Sequence, residues 1–314
     1  MSEIEVWIFW AENGRILLAI KFSKNMGGQS NYLYHVTSSS STTSYLLRIH
    51  RQTPNLVFAD TVLFAILSER GLGPKLYGFF DGGRLEEFLP SNYFTKEDSR
   101  NPDDLGGEDY EIQTTTVNYS SHPKQVSIES LSQEIDILEK WAKEIFEHTL
   151  VFGHSDLGIS NILELIPTKE LVLIDCEFAN YNCRGFDLTM YLSESAIDYP
   201  AEYPGININQ ELTENPPNLR VLCESYLDAD NKLKNRISTN REQEIQSLME
   251  ECTFFMPVTH LFWALSSMKH SLLKFENGVD LNVQARDRIA VYYYLKPRSQ
   301  TIYENLAKFN RRQI

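Results

Sequence analysis

Along the first ninety residues, apolar positions come in short runs separated by turn-forming residues. Val6 to Trp10 and Ile16 to Phe22 flank Glu12-Asn13-Gly14-Arg15, and a third run lies at Tyr45 to Ile49, which predicts strands. Between the second and third runs lie Met26-Gly27-Gly28, then Tyr32, Tyr34 and Val36, then a run of serines and threonines. The pattern predicts a helix from Asp60 to Arg70, ended by Gly71, and a hairpin from Leu76 to Leu89 turning at Asp81-Gly82-Gly83. Residues 1–90 thus read as a small, mostly antiparallel sheet with one helix. Residues 91–125 are polar and show no sustained period, which predicts a connector.

From residue 126 the period becomes helical. Leu131, Ile135, Leu138, Trp141, Ala142 and Ile145 recur on one face behind Ser130 and Gln133, spaced as a capping box. A loop follows at Gly153 to Asn161 and a strand at Leu171 to Cys176. Further helices are predicted at Asn218 to Leu227, Arg241 to Met249, Thr253 to Phe275 and Gln284 to Leu295. The domain reading is a sheet lobe over 1–90, a connector over 91–125 and a mainly helical lobe over 126–314, a two-lobed α/β (α+β) architecture.

Composition narrows the function. The chain has 314 residues and a net charge of −14, the wrong sign for affinity built on nucleic-acid or membrane phosphates. Any phosphate must be held locally. Cys176, Cys183, Cys223 and Cys252 lack metal-ligand or disulfide-scaffold spacing. The N-terminal stretch lacks the basic start of a signal peptide, and Phe254 to Met268 is too short to span a bilayer. The expectation is a cytoplasmic protein without a membrane span or nucleic-acid partner.

The chemistry concentrates between Val151 and Asp187. Asp156 precedes Asn161 by five residues in a loop, and Asp175 follows fourteen later at the end of an apolar strand. One carboxylate beside an acceptor hydroxyl takes or orients its proton, while an amide oxygen and a second carboxylate suit a magnesium ion bridging nucleotide phosphates. That set of parts points to a phosphotransferase.

These residues give the chain a resemblance to the choline and ethanolamine kinase family, which belongs with the aminoglycoside phosphotransferases in the protein-kinase-like fold. It is carried by the His154 to Asn161 loop, Leu173 to Phe178, and above all Tyr181 to Leu188 with its Arg184-Gly185-Phe186-Asp187 core. Further matches are Gly27 to Asn31, Leu46 to Arg48, Phe64 to Gly78, Gly83 to Pro90, His260 to Leu265 and Gln284 to Arg286. The resemblance implies transfer of the ATP γ-phosphoryl group to the hydroxyl of choline or ethanolamine, with Mg²⁺, early in phospholipid head-group synthesis. It implies catalytic roles for Asp156 and His154, metal binding by Asn161 and Asp175, and nucleotide binding by Gly28, Ser30, Asn31, Arg48, Glu87 and Leu89. Adenine would lie between the lobes, and the family tends to dimerise.

Glu194, Trp263 and Tyr199 are the residues left to hold the amine. Where the family has aromatic residues or glutamine, this chain has Ser195, Ser266, Asn277, Asn282 and Gly158. Fewer aromatic faces weaken a quaternary ammonium, and oxygen acceptors suit a primary one. Two rival readings stay open: a kinase of another small molecule, and a catalytically degenerate relative serving as a partner subunit. Arg184 and Asp187 are spaced to pair and brace the strand-to-helix turn. The Tyr292-Tyr293-Tyr294 triplet is expected to fill a helix interface.

Overall fold

The computed structural model describes residues 4–6, 11–12, 15–16, 20–24, 31–38, 44–50, 54–93, 123, 125–199, 205–270 and 280–311. They fall into two compact units that are discontinuous in sequence. One comprises Met1–Tyr93 with Asn161–Glu177, and the other Phe94–Ser160 with Phe178–Ile314. Among the described residues no helix is long and apolar enough to cross a membrane.

The first unit is built on a six-stranded antiparallel sheet. Its strands are β1 (Ile4–Val6), β4 (Ile20–Lys24), β5 (Asn31–Ser38), β6 (Ser44–His50), β7 (Leu76–Phe80) and β8 (Gly83–Glu87), in the order β1-β4-β5-β6-β8-β7. A separate short ribbon pairs β2 (Ala11–Glu12) with β3 (Arg15–Ile16). The alternation of Tyr32, Tyr34 and Val36 becomes the long strand β5, paired over seven residues with β6. The hairpin turns over Asp81 and Gly82, where Gly82 adopts φ +87°, a conformation that favours glycine. Helix α1 (Pro54–Glu69) starts six residues before the predicted Asp60, with proline in its first turn. It ends as expected: Gly71 has φ +66°, and the Leu72 amide bonds back to the Leu67 carbonyl. A three-stranded sheet, β9 (Ser91–Tyr93), β11 (Ile162–Leu165) and β12 (Leu171–Leu173), completes the unit.

The second unit is mainly helical: α2 (Ile128–Phe146), α3 (Arg184–Ser195), α4 (Gln210–Glu214), α5 (Leu219–Leu233), α6 (Arg241–His270) and α7 (Leu281–Arg311). The capping box of α2 is shifted from Ser130-Gln133 to Ser127-Ser130, because the Ser127 hydroxyl accepts the Ser130 amide and the Ser130 hydroxyl returns to the Ser127 amide. Two predicted helices merge into α6, which carries Pro257 inside it, and α7 runs past Pro297. Phe146, Phe186, Met190, Phe254 and Phe255 form a core in which each residue is at most 4% exposed. Tyr292 is fully buried against Leu131, Leu138 and Leu261, and its hydroxyl donates to Glu134, so this tyrosine packs in a helix interface. Two short antiparallel pairs, β10 (Leu150–Gly153) with β13 (Asn180–Cys183) and β14 (Ile197–Asp198) with β15 (Asn207–Ile208), flank α3.

Candidate active site

Strand β10 delivers the chain to the loop of His154 and Asp156, and α3 fixes that loop from its first turn. The Asp187 carboxylate accepts the His154 amide at 2.6 Å through one oxygen and the Ser155 amide at 2.6 Å through the other. Hydrogen bonds to an ionised acceptor are the strong kind, and here two consecutive peptides share one. Gly153 lets the carboxylate come this close, since a β-carbon there would lie 2.5 Å from Asp187 Oδ2. Ser155 takes φ 59°, and the Gly158 amide folds back onto the Asp156 carbonyl at 2.8 Å. His154 is buried, while Asp156 remains partly accessible.

A second carboxylate ties down the turn between β13 and α3. Glu251, 1% exposed on α6, accepts the Thr149 hydroxyl at 2.8 Å, the Gly185 amide at 2.9 Å and Arg184 Nε at 3.2 Å. Arg184 therefore pairs with Glu251, and the carboxylate of Asp187 is taken by the loop amides. Sequence reading missed Glu251. Its signal was present, because it shares a helix face with the buried Leu248 and Phe255 at spacings of three and four, an odd place for a lone acid.

Glu194 and Tyr199 come together with a residue not anticipated, Arg288 of α7. Arg288 Nη2 donates to Glu194 Oε1 at 2.7 Å and to the Tyr199 hydroxyl at 2.9 Å, and the Tyr199 hydroxyl donates to Glu194 Oε2 at 3.0 Å. Burial opposes the charge on Arg288, yet Glu194 and Tyr199 hold its pKa above the ordinary value. Burial and the Glu194 charge push the Tyr199 hydroxyl up, so it stays protonated. Glu194 and Asp156 flank Gly158: a β-carbon there would lie 3.8 Å from Asp156 Oδ1 and 3.9 Å from Glu194 Cγ. Trp263 packs edge-on against Phe178 and Phe262, with its indole nitrogen buried and unbonded among the described residues. Asn282 is exposed at the start of α7, and Asn277 lies outside the described residues.

In the first unit, Arg48 on β6 is 5% exposed. Its Nε donates to Glu86 Oε1 at 2.6 Å, and its Nη1 lies 3.4 Å from Asp175 Oδ1. Glu86 also accepts Arg84 Nε at 2.7 Å, and Arg84 reaches Asp60 of α1 and stacks over Phe64. Burial raises the Glu86 carboxyl, but Arg48 and Arg84 together bring it below its usual range. Asn161 and Asp175 are linked through the Ile174 amide, which donates to the Asn161 carbonyl at 3.0 Å, and Asp175 itself has φ 63°. Asn31 is buried, with its amide oxygen 3.2 Å from His50 Nδ1. Glu87 pairs with Lys75, its amide donating to the Lys75 carbonyl, and the Leu89 carbonyl accepts the Ser91 hydroxyl. Gly28 and Ser30 lie outside the described residues, as do residues 94–122 and 124 of the predicted connector 91–125, whose first three residues form β9.

Asn161 and Asp175 offer an amide oxygen and a carboxylate, hard donors that suit a magnesium ion completed by water and phosphate oxygens. Among the described residues no group of three or more His, Cys, Asp or Glu is arranged to hold a metal alone. A metal carried with a nucleotide fits this donor set better than a closed protein cage.

The choline/ethanolamine kinase family model matches residues 22–106 and 108–293. Choline kinase B2 of Caenorhabditis elegans is 58% identical over 92% of this chain and 89% of its own length. Choline kinase B1 of the same animal is 54% identical over 92% of this chain and 88% of its own length. Among solved structures, a choline kinase from Cryptosporidium parvum superposes with a TM-score of 0.69 at 18% identity, covering 93% of this chain and 92% of that one. The fold is thus kinase-like, with an antiparallel-sheet unit and a mainly helical unit.

Proposed function

This chain belongs to the choline/ethanolamine kinase family, and we propose from that premise that it transfers the γ-phosphoryl group of ATP to the hydroxyl of choline or a related amino alcohol such as ethanolamine. The observation that carries the reading is the doubly bonded loop that presents Asp156 beside Glu194 across Gly158. Asp156 orients the acceptor hydroxyl and takes its proton as the oxygen attacks the γ-phosphorus and the bond to the bridging oxygen breaks, releasing ADP. His154 packs inside the loop and holds its shape. Glu194, Tyr199 and Trp263 line the acceptor's end.

Asn161 and Asp175 would hold the magnesium ion, which when bound offsets charge on the nucleotide phosphates. Arg48 supplies the cation that an acidic chain cannot supply at long range. Asn31, the first residue of β5, would face the phosphates, the role expected also of Gly28 and Ser30, and the backbone at Glu87 and Leu89 would meet adenine. The same reading carries a cytoplasmic setting and a homodimer, which fractionation and light scattering would check.

The test is coupled ATP turnover with choline, ethanolamine and no acceptor. Acceptor-dependent ADP release is expected, and Asp156→Asn should lower it by about 10²–10⁴ with unchanged thermal melting. Equal turnover with and without acceptor, or full activity in Asp156→Asn, would overturn the assignment.

A further inference from the structure

Arg48, the cation that the proposed function sets against the phosphates, belongs to a buried chain of charges within the first unit. Arg48 on β6 and Arg84 on β8 lie directly opposite one another in the register, and like charges so placed oppose pairing. Glu86 stands two residues along β8, on the same face as Arg84, and joins the two arginines. A single oxygen, Oε1, accepts Arg48 Nε at 2.6 Å and Arg84 Nε at 2.7 Å. All three side chains are at most 7% exposed, so water does little to screen them.

Arg84 is anchored in turn from α1. It pairs with the Asp60 carboxylate and lies over the Phe64 ring, with Cζ 4.1 Å from the ring centre. Arg48 extends the other way, its Nη1 3.4 Å from Asp175 Oδ1. Charge therefore alternates from α1 to the site: Asp60, Arg84, Glu86, Arg48, Asp175. His50, also on β6, is kept below its ordinary pKa by burial and then by Arg84, and adds no charge at neutral pH.

A carboxylate with no other partner engages a guanidinium through two bonds and cancels its charge. Here the oxygen that Arg48 meets is shared with a second arginine, so the carboxylate orients Arg48 through Nε while Arg84 offsets the carboxylate's charge. We propose that Arg84 is a positioning residue of the nucleotide site: by taking its share of Glu86 it leaves the charge of Arg48 to the phosphates. The inference rests on the reading of Arg48 as the phosphate-facing cation of this kinase. A role confined to bracing α1 against the sheet predicts something different. Loss of Arg84 would then loosen the unit, and loss of Glu86 as well would loosen it further.

The experiment is calorimetric binding of a non-hydrolysable ATP analogue with Mg²⁺ to the full chain, as wild type, Arg84→Met, Glu86→Gln and the double variant. Thermal melting and the acceptor KM in ATP turnover are read on the same preparations. Arg84→Met turns Glu86 wholly onto Arg48 and should weaken nucleotide binding by about tenfold or more, with the acceptor KM moved by less than about threefold. Glu86→Gln keeps an acceptor for both arginines and removes the charge that draws on Arg48, so it should bind nucleotide at least about threefold tighter than wild type. The double variant removes both charges and should return to within about threefold of wild type. Nucleotide affinity unchanged in Arg84→Met, or a double variant as weak as Arg84→Met alone, overturns the inference. So does a Glu86→Gln chain that binds nucleotide no tighter than wild type, a comparison that stands even where Arg84→Met does not fold. Failure of the kinase reading shows separately, as absent acceptor-dependent ADP release in wild type whatever the pattern of nucleotide affinities.

Discussion

Replacing Gly153 by alanine tests whether the Asp187 bridge sets the catalytic loop. The added carbon would lie 2.5 Å from Asp187 Oδ2 and 3.0 Å from Cγ, whereas ordinary contact for such a carbon begins at 3.4 Å. Asp187 must then retreat by 3.4 − 2.5 = 0.9 Å. Both loop bonds are now 2.6 Å, and such a retreat takes them past the useful range of about 3.2 Å. Each bond to a charged acceptor is worth about 1.5–3 kcal/mol, so loss of both costs about 3–6 kcal/mol, less whatever water returns. With about 3 kcal/mol surviving, melting should fall by about 6–12 °C at roughly 2–4 °C per kcal/mol. Displacing the loop that carries Asp156 by about 1 Å should also lower kcat by about 10². The assay is thermal melting and ATP turnover of Gly153→Ala, Asp187→Ala and the double variant. Because the clash acts through Asp187, the alanine at 153 should cost almost nothing once Asp187 is gone. A Gly153→Ala enzyme that melts and turns over as wild type, or costs that simply add in the double variant, would refute the reasoning.

Glu251→Ala leaves Arg184, Thr149 and the Gly185 amide without their shared acceptor and should cost about 3–5 kcal/mol, read from denaturant midpoints at constant slope. His260 has a folded pKa well below the ordinary 6.5, because burial and then Arg288 disfavour its charged form. Below pH 6.5 the unfolded chain takes up a proton there and the native chain does not, so stability falls with pH by up to about 1.4 kcal/mol per unit. His35 and His50 are also lowered, chiefly by burial, and act in the same direction. The His260 share is therefore the difference in slope between wild type and His260→Leu, measured by urea unfolding from pH 7 to pH 5. Identical slopes would show that His260 is not held neutral.

What the sequence made legible is local. The hairpin turn at Gly82, the helix end at Gly71 and the Asp156-to-Asn161 loop each depend on residues within a few positions of one another. Helix α6 shows where local reading stops. A proline at 257 argues for a break, but Phe254 and Phe255 on one turn and Leu261 on the next are buried, and their packing carries the helix through it. The site was half legible for the same reason. Asp187 and Arg184 are three apart and were expected to pair, yet each found a partner much farther along the chain. The Asp187 carboxylate serves amides 32 and 33 residues away, and Arg184 a carboxylate 67 residues away. Arg288 and Glu194 are 94 apart, on two helices whose relative register no periodicity encodes.

These long-range pairs follow a common logic. Arg48, Arg84 and Arg288 are each at most 5% exposed and each meets a carboxylate, so these three cations of an acidic chain are spent inside it. Burying an ion pair returns little net stability, because desolvation consumes most of the attraction, while breaking one strands a charge at high cost. Such pairs therefore act chiefly by excluding alternatives. At Asp187 and Glu251 the alternatives excluded are backbone ones, since each carboxylate accepts peptide amides as well as any side chain and a shifted loop would leave the acid unsatisfied. At Glu194 the partner is a side chain alone, and no backbone geometry among the described contacts depends on it.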